Sequence, residues 1–372
     1  MAGEITLYRN VPNADYMQRN MKSTSSRKSS AVRKLSPGAK REAQTNISFL
    51  NSVNYSTEEN DAKRQEFTST SRRSVLPNII EYNSYTLPTK IVTNNDQIKA
   101  VGIDLGTSRC CAAVNRRNGI ETVVLDNNGE RLLPSYVAFD EVHVKCGQIV
   151  VDRLRYHSNS TIFDSKRIIG KKLEDIEVDE NWPFVLKFVM NKAFIEHETF
   201  NKSKTRKTPE QIAAILLTHI KQKSEEFQEK QLNNVVITVP AAFTNDQKEA
   251  TILAATLAGW DSVHLLPEPT AAAFTYFLER PIPKSCILLV FDLGGGTLDI
   301  CISKIESNKI QTIANSGDQK LGGRDFDNLL IDYFVKKLYD GYGISVDGGK
   351  KYKLMLECQK IKHYLSLRDQ EQ

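Results

Sequence analysis

From residue 99 onward, apolar residues follow two kinds of spacing along the chain. Short apolar runs of strand length occupy residues 235–239, 262–266 and 286–291. Between such runs lie longer stretches in which apolar residues recur three or four positions apart, as in 212–220. That spacing is typical of a helix that buries one face. Strands that alternate with helices in this way predict an α/β domain whose sheets are covered by helices.

Two helix starts carry clear capping signals. Thr208 is placed as an N-cap, Pro209 occupies the first helical position, and Gln211 completes a capping box. A second helix is predicted to begin after Thr244 and to end near Gly259, because glycine commonly follows the last helical residue. These signals place two helices in the middle of the α/β domain.

Residues 1–98 have a different composition. Roughly a third of them are Ser, Thr or Asn, and only 18 are Ile, Leu, Val or Phe, which is too few for a packed core. They are therefore predicted to form a disordered extension. Within it, residues 21–40 hold six Lys or Arg and no acid, and we interpret them as a solvated charge run. The alternatives are a contact with nucleic acid or an acidic surface, a phosphorylation target and a targeting segment.

The net charge of +5 belongs to this extension. The chain has 50 Lys and Arg against 45 Asp and Glu; residues 1–98 hold 14 basic and 9 acidic residues, which leaves 36 of each sign for 99–372. This division excludes a uniformly basic nucleic-acid-binding domain. No apolar run reaches the roughly 18 residues of a membrane span, and the N-terminus has no secretory signal. The six cysteines show no metal-binding spacing. We therefore expect a protein of the cytoplasm or the nucleus.

The most informative feature is an internal near-repeat. Residues 101–108 read VGIDLGTS and residues 290–297 read VFDLGGGT, each an apolar strand followed by Asp, Leu, Gly and hydroxyl residues. Glycine lets the main chain approach a ligand, and successive backbone N–H groups in such a turn can bind an anion. Two such turns facing each other would hold a polyphosphate from both sides. Tight hairpin turns without a ligand are the alternative, and they explain one copy better than two. The candidate phosphate-binding residues are Gly106, Thr107, Ser108, Gly294, Gly295, Gly296 and Thr297.

Together with these turns, several longer segments resemble the nucleotide-binding domain of the Hsp70 chaperones, within the actin, hexokinase and Hsp70 ATPase superfamily. The matching segments are AVGIDLGT at 100–107, LPSYVAF at 133–139, FDSKRIIG at 163–170, VITVPA at 236–241, EPTAAA at 268–273, FDLGGGT at 291–297 and LGGRDFD at 321–327. The resemblance implies an α/β, actin-like ATPase fold in which two related lobes surround a nucleotide cleft. The first lobe would cover about 99–285, and an incomplete second lobe about 286–372.

The resemblance also implies roles for individual residues. Lys166 matches the family's catalytic lysine beside the γ-phosphate, and Glu268 matches the glutamate that completes the network of ordered water. Asp104 and Asp292 match the aspartates that organise water and Mg²⁺, a cation that prefers to keep its water ligands. The implied ligands are ATP or ADP with Mg²⁺. The further nucleotide contacts implied in this way are Gly322, Gly323, Lys362 and Ser366.

Several positions depart from the family pattern. Arg324 and Gln359 stand where the family carries two acids that contact the ribose, His363 replaces an arginine, and Arg109 replaces an aromatic residue. Each ribose contact without its acceptor is expected to weaken by about 1–3 kcal/mol. The family's later adenosine motif and its peptide-binding domain lie outside the match. The second lobe is therefore expected to be truncated, to expose apolar surface, and to lack a groove for client peptides.

Two functions stay open on the sequence alone. The first is an Hsp70-like ATPase related to ATP-dependent protein folding and the stress response, with J-domain or nucleotide-exchange co-chaperones as partners. The second is a regulatory Hsp70-like protein with little or no turnover, which the ribose substitutions favour. Binding of nucleic acid by the basic extension is disfavoured, because aromatic residues for base stacking are sparse there.

Overall fold

The structure, a computed structural model, describes residues 4–8, 84–87, 100–116 and 119–366. The strands in these ranges are β1 (Glu4–Tyr8), β2 (Ser84–Thr86), β3 (Ala100–Leu105), β4 (Arg109–Arg116), β5 (Gly119–Thr122), β6 (Leu132–Pro134), β7 (Val137–Ala138), β8 (Lys145–Cys146), β9 (Thr161–Ile162), β10 (Val185–Val189), β11 (Lys192–Glu198), β12 (Lys204–Lys207), β13 (Asn234–Val239), β14 (Ser262–Pro267), β15 (Ser285–Leu293), β16 (Leu298–Glu306) and β17 (Lys309–Asp318). The α-helices are α1 (Gln148–His157), α2 (Pro209–Gln228), α3 (Asn245–Leu257), α4 (Glu268–Glu279), α5 (Gly323–Tyr342) and α6 (Gly348–Leu365).

The first lobe is built on a sheet with the strand order β14-β13-β3-β4-β5, in which β6 also pairs with β4. Strands β3, β13 and β14 are parallel, whereas β4 runs antiparallel to both of its neighbours β3 and β5. In β3 the side chains of Val101, Ile103 and Leu105 alternate inward and are buried. Helix α2 packs against β4, and α3 packs against β14. This arrangement confirms the predicted α/β fold, in which helices cover the sheet.

The second lobe is built on a sheet with the order β1-β15-β16-β17-β2. Strands β15, β16 and β17 form an antiparallel meander, and helix α4 packs against β15 and β16. A separate apolar core lies below this sheet and includes Phe277, Leu288, Val290 and Ile305. The β3–β4 and β15–β16 hairpins correspond to each other, and each carries one of the two glycine turns. The repeat in the sequence is therefore also a repeat in the structure.

Helices α5 and α6 bring the second lobe into contact with the first. Helix α6 packs against α1 of the first lobe. Four residues of these helices, Ile331, Tyr352, Met355 and Cys358, belong to the same buried apolar cluster as the core of the first lobe. The described residues thus form two lobes that meet along α5 and α6.

Both predicted helix starts are confirmed. The side chains of Thr208 and Thr244 accept hydrogen bonds from the backbone N–H groups of Gln211 and Gln247, and each glutamine side chain accepts in return from its threonine N–H. Helix α3 ends as predicted just before Gly259, whose φ of +82° lies in the left-handed region that favours glycine. Local capping therefore satisfies backbone N–H groups at both helix starts.

Two segments of the N-terminal extension belong to the second sheet. Strand β1 pairs in parallel with β15, and β2 pairs antiparallel with β17, so both edge strands come from this extension. Leu87, which follows β2, is buried in the core below the sheet. The prediction of disorder does not hold for these two segments. The charge run at 21–40 lies outside the described residues, and the domain boundary at residue 98 stays a prediction.

The second lobe exposes several large apolar side chains. Ile313 on β17 is 57% exposed, and Leu329 and Tyr333 on α5 are 69% and 57% exposed. Singly exposed apolar residues are common, but Leu329 and Tyr333 lie one helical turn apart on the same face. As for the membrane, none of the helices in the described part of the chain combines the length and the apolar character that a span requires.

A buried histidine lies on β11. The ring of His197 packs on the ring of Phe139 with centroids 4.1 Å apart, and its Nδ1 lies 3.3 Å from the carbonyl oxygen of Ile195. Burial lowers the pKa of His197 from 6.5 to about 4. The side chain therefore stays neutral in the folded protein at pH values where it is protonated in the unfolded chain.

This difference predicts an acid-sensitive fold. The unfolded chain takes up the proton first, so His197 should cost stability as the pH falls from 6.5 towards 4. Between pH 7.5 and 4.5 the loss from this residue should be about 2–3 kcal/mol. His197→Phe removes the titration, and its free energy of unfolding in urea should fall by that much less over the same interval. An identical pH dependence in the variant and the parent chain would contradict this origin.

Candidate functional site

The two glycine turns face each other where the lobes meet. The first turn, residues 106–108, follows β3, and the second, residues 294–297, follows β15. A Cβ atom added at Gly295 would overlap Ser108 Oγ, and one added at Gly296 would lie 2.8 Å from Thr107 Oγ1. Glycine is needed at both positions, because a side chain would push the turns apart. The structure thus brings together the two copies of a sequence repeat whose offset is 188 positions.

Each turn is held closed by its own hydrogen bonds. The N–H of Gly294 donates to the carbonyl oxygen of Thr297 at 2.8 Å. In the first turn, Ser135 Oγ donates to the carbonyl oxygen of Gly106 at 2.7 Å, and a Cβ added at Gly106 would overlap the carbonyl oxygen of Arg109. Hydrogen bonds within the protein therefore constrain both hairpin tips.

A third turn, at the start of α5, abuts the second. The N–H of Gly323 donates to the carbonyl oxygen of Gly294, and the N–H of Arg324 donates to that of Gly295, both at 2.9 Å. A Cβ added at Gly322 would lie 2.6 Å from the backbone nitrogen of Gly296. The predicted residues Gly322 and Gly323 therefore lie in backbone contact with the second turn.

Lys166 and Glu268 form a buried ion pair beside these turns. Lys166 lies in a single 3₁₀ turn, Ser165–Arg167, and its Nζ donates to Glu268 Oε1 at 2.8 Å. Their side chains are 12% and 9% exposed, and Glu268 is the first residue of α4. Burial lowers the pKa of Lys166, but Glu268 and Asp104 outweigh burial and raise it overall. The ammonium group therefore keeps its charge although water is largely excluded.

Acidic side chains lie close to this pair. Asp292 at the end of β15 is the register partner of Asp299 on β16, and both side chains are buried. Burial raises the pKa of Glu268; Lys166 opposes this effect and Asp104 adds to it. Burial and then Asp292 raise the pKa of Asp299. Four carboxyl groups thus lie close to the single ammonium group of Lys166.

This group of carboxyl side chains suits a hydrated divalent cation. Within residues 4–8, 84–87, 100–116 and 119–366, no three His, Cys, Asp or Glu side chains converge closely enough to ligate a metal directly. The arrangement fits Mg²⁺, which keeps most of its water ligands and is commonly shared with phosphate oxygens. Asp104 and Asp292 are the residues that would hold its water shell. Asp299 was missed by the sequence analysis, although its inward position two residues after Thr297 on an alternating strand could have indicated it.

The two predicted nucleotide contacts on the last helix, Lys362 and Ser366, lie in different surroundings. Lys362 lies at the third turn, where its Nζ donates to the carbonyl oxygen of Gly323 at 2.7 Å and pairs with Asp327 Oδ1 at 2.6 Å. Ser366 follows the last residue of α6, is exposed, and donates from Oγ to the carbonyl oxygen of Lys362 at 2.9 Å. The structure therefore places Lys362 at the glycine turns, whereas Ser366 lies at the exposed end of the helix.

Arg324 lies elsewhere than its sequence position suggested. The resemblance implies a ribose contact at this position, but the side chain of Arg324 is only 2% exposed and contacts the first lobe. There its guanidinium group forms an ion pair with Asp164. Arg324, which stands where the family carries an acid, therefore changes a contact between the lobes and does not add an exposed cation to the cleft.

Comparisons with known proteins agree with this geometry. The family model described as Hsp70 protein matches residues 100–372. Curated proteins similar to the chain include a Heat shock 70 kDa protein of Emericella nidulans, 36% identical over 272 residues, and a Heat shock 70 kDa protein of Neurospora crassa, 35% identical over 272 residues. Heat shock cognate 70 kDa protein 3 of Dictyostelium discoideum is 34% identical over 278 residues.

These matches cover unequal shares of the two chains. Each covers 72% of this chain, but 42%, 42% and 44% of the respective relatives. The chain thus spans less than half the length of the curated relatives that it matches. The matched segment includes both glycine turns, the third turn, and the Lys166–Glu268 pair.

Proposed function

Because the chain belongs to the Hsp70 family, we propose that its two lobes bind ATP with Mg²⁺ and hydrolyse the γ-phosphoryl bond. The observation that supports this most directly is the buried Lys166–Glu268 ion pair beside two facing glycine turns. A fixed positive charge among carboxylates, next to backbone N–H groups, suits a reaction that depends on positioning and on charge stabilisation. The family implies the same chemistry.

Each group then has a defined task. The backbone N–H groups of the two turns, together with the hydroxyls of Thr107, Ser108 and Thr297, hold the phosphate oxygens. Lys166 stabilises the charge that develops on the transferred phosphoryl group as water attacks in line. Glu268 orients that water and keeps Lys166 in place. Bound Mg²⁺ would supply neutralisation of phosphate charge, and Asp104 and Asp292 are the side chains that would hold its water.

The alternative of a regulatory protein without turnover is not favoured. The lysine and the three carboxylates implied by the family are present, and the similar curated proteins are named as heat shock 70 kDa proteins. We propose a role in ATP-dependent protein folding, with J-domain or nucleotide-exchange co-chaperones as partners, in the cytoplasm or the nucleus. A groove for client peptides is not part of the proposal for these two lobes.

Calorimetric titration of the full chain tests the nucleotide site. We expect ADP and ATP to bind with measurable heat in Mg²⁺ buffer and more weakly after chelation of Mg²⁺ with EDTA. Binding should be weaker than in relatives that keep both ribose acids, by about 1–3 kcal/mol for each missing contact. The absence of heat with either nucleotide at high protein concentration would contradict the proposal.

A further inference from the structure

Arg324 connects the second lobe to the first through a buried set of contacts. It is the second residue of α5, and its Nε and Nη2 donate to Asp164 Oδ2 and Oδ1 at 2.9 and 3.0 Å. The same Nη2 donates to Tyr136 Oη at 3.0 Å, and the guanidinium carbon lies 5.1 Å from the centroid of Phe163. These three partners belong to the first lobe, whereas Nη1 of Arg324 lies 3.8 Å from Oδ2 of Asp327 within α5 itself. This two-point geometry is one that arginine, but not lysine, can make with a carboxylate.

Asp164 has a backbone conformation that is uncommon for residues other than glycine. Its φ of 57° lies in the left-handed region, and its side chain is fully buried. Besides Arg324, its carboxylate accepts a hydrogen bond from Trp182 Nε1 at 3.3 Å. A residue other than glycine persists in this conformation when its surroundings hold it there. The Arg324 contact is a large part of what holds Asp164.

Asp164 in turn fixes the turn that carries Lys166. It is the N-cap of the 3₁₀ turn Ser165–Arg167, and its carbonyl oxygen accepts from the N–H of Arg167 at 2.9 Å. Two residues along the chain from Asp164, the Nζ of Lys166 meets Glu268. A rotation of the backbone at Asp164 would therefore displace Lys166, whose reach to Glu268 depends on the direction of this short turn.

Arg324 is also fixed at its other end. Its backbone N–H donates to the carbonyl oxygen of Gly295 in the second glycine turn. The main chain of Arg324 therefore contacts a proposed phosphate-binding turn. Its side chain contacts Asp164, which precedes the turn that carries Lys166. We propose that Arg324 is a positioning residue, which sets Lys166 against Glu268 when the second glycine turn lies against the first lobe. This inference rests on the proposed ATPase function.

A merely structural role would predict a different result from a positioning role. Burial opposes the charge on Arg324, but Asp164 and Tyr136 outweigh burial and raise the pKa of Arg324 well above its usual value. Arg324 therefore keeps its charge, and loss of its contact with Asp164 would destabilise any fold that contains it. If Arg324 positions Lys166, a substitution at Arg324 should slow the chemical step and retain nucleotide affinity at temperatures far below unfolding.

The test uses Arg324→Lys in the full chain. Lysine keeps the positive charge but loses the two-point contact with Asp164. We expect the single-turnover rate of ATP hydrolysis to fall about 10- to 100-fold, because small misplacements of a catalytic group have effects of that size. The Kd of ADP should change less than threefold, by our order-of-magnitude estimate for a group that does not touch the nucleotide. Amide hydrogen exchange in 165–170 should rise in the nucleotide-free variant, while exchange in α2 should not.

The matched control is Lys351→Met. Lys351 also bridges the lobes, since its Nζ donates to the carbonyl oxygen of Glu180 at 2.7 Å, but it does not contact Asp164. It should leave the rate and the exchange of 165–170 unchanged. Tyr136→Phe removes one hydrogen bond from Arg324 without changing any charge, and it serves if Arg324→Lys does not fold; its rate should fall by a smaller factor.

The outcomes separate the two proposals. Unchanged exchange in 165–170 and an unchanged rate in the variant would overturn the positioning role. A parent chain that does not hydrolyse ATP would overturn the proposed function. In that case the exchange measurement still decides whether Arg324 sets the Lys166 turn.

Discussion

Lys166→Ala should lower the single-turnover rate of ATP hydrolysis by about 10³-fold, the loss typical of removing a group that stabilises charge in the transition state. Nucleotide binding should persist, because the glycine turns and their hydroxyls do not depend on this side chain. The variant should also leave Glu268 buried near Asp104 and Asp292 without its cation. Its hydrolysis should therefore stay low even at saturating ATP and Mg²⁺.

The matched control for this variant is Lys171→Ala. Lys171 lies five residues further along the chain, and burial lowers its pKa, with Arg167 adding to that effect. Unlike Lys166, Lys171 does not lie among the carboxylates around Glu268. Its replacement should therefore change the rate of hydrolysis less than threefold, by our order-of-magnitude estimate for a residue outside the site. Equal losses in the two variants would show that the effect of Lys166 is not specific.

Gly322→Ala should weaken nucleotide binding by separating the second and third turns. The added Cβ would lie 2.6 Å from Gly296 N and 2.7 Å from both Gly295 C and Gly295 O, and backbone atoms cannot rotate away as a flexible side chain can. The start of α5 must then shift, which breaks the hydrogen bonds from Gly323 and Arg324 to the second turn. Overpacking of this kind costs about 1–3 kcal/mol, or roughly 5- to 150-fold in Kd if the cost falls on the bound state.

Gly341→Ala is the control for this change. A Cβ atom at Gly341, inside α5, would meet no atom within 4 Å. Alanine there should leave nucleotide binding unchanged and stabilise the fold by about 0.5–1 kcal/mol, because glycine is unfavourable inside a helix. Calorimetric titration gives both Kd values, and urea unfolding gives both stabilities. A Gly322→Ala chain that binds ADP as tightly as the parent would contradict the close approach of these turns.

Much of the fold could be predicted from the sequence because its signals are local. The capping boxes at Thr208 and Thr244 involve residues three positions apart, and both are confirmed. The repeat of strand, aspartate and glycine predicted two related turns, and the β3–β4 and β15–β16 hairpins carry them. Where a short segment determines its own backbone, pattern and capping suffice.

What the sequence did not reveal depends on contacts between distant segments. Arg324 and Asp164 are 160 residues apart, and no periodicity links them. The edge strands β1 and β2 come from an extension whose composition indicated disorder, and they pair with strands far along the chain. Asp299 lies in register with Asp292, and this pairing between two strands was not part of the sequence prediction. Such pairings follow from the tertiary fold and not from local propensity.

The contact between Lys166 and Glu268 could be predicted only in part from the sequence. The two residues are 102 positions apart, so spacing alone did not join them. The resemblance to the Hsp70 family implied that Lys166 lies beside the γ-phosphate and that Glu268 completes the water network, and the structure places Lys166 Nζ 2.8 Å from Glu268 Oε1. Their roles in hydrolysis stay a prediction until turnover is measured.

Single-turnover hydrolysis by the unmodified chain tests the central claim most directly. Trace ATP is mixed with excess protein in Mg²⁺ buffer, and the release of inorganic phosphate is followed with time beside the Lys166→Ala variant. We predict a single exponential release that is lost on chelation of Mg²⁺ and in the variant. Phosphate release no faster than in the variant or in buffer alone would contradict the account.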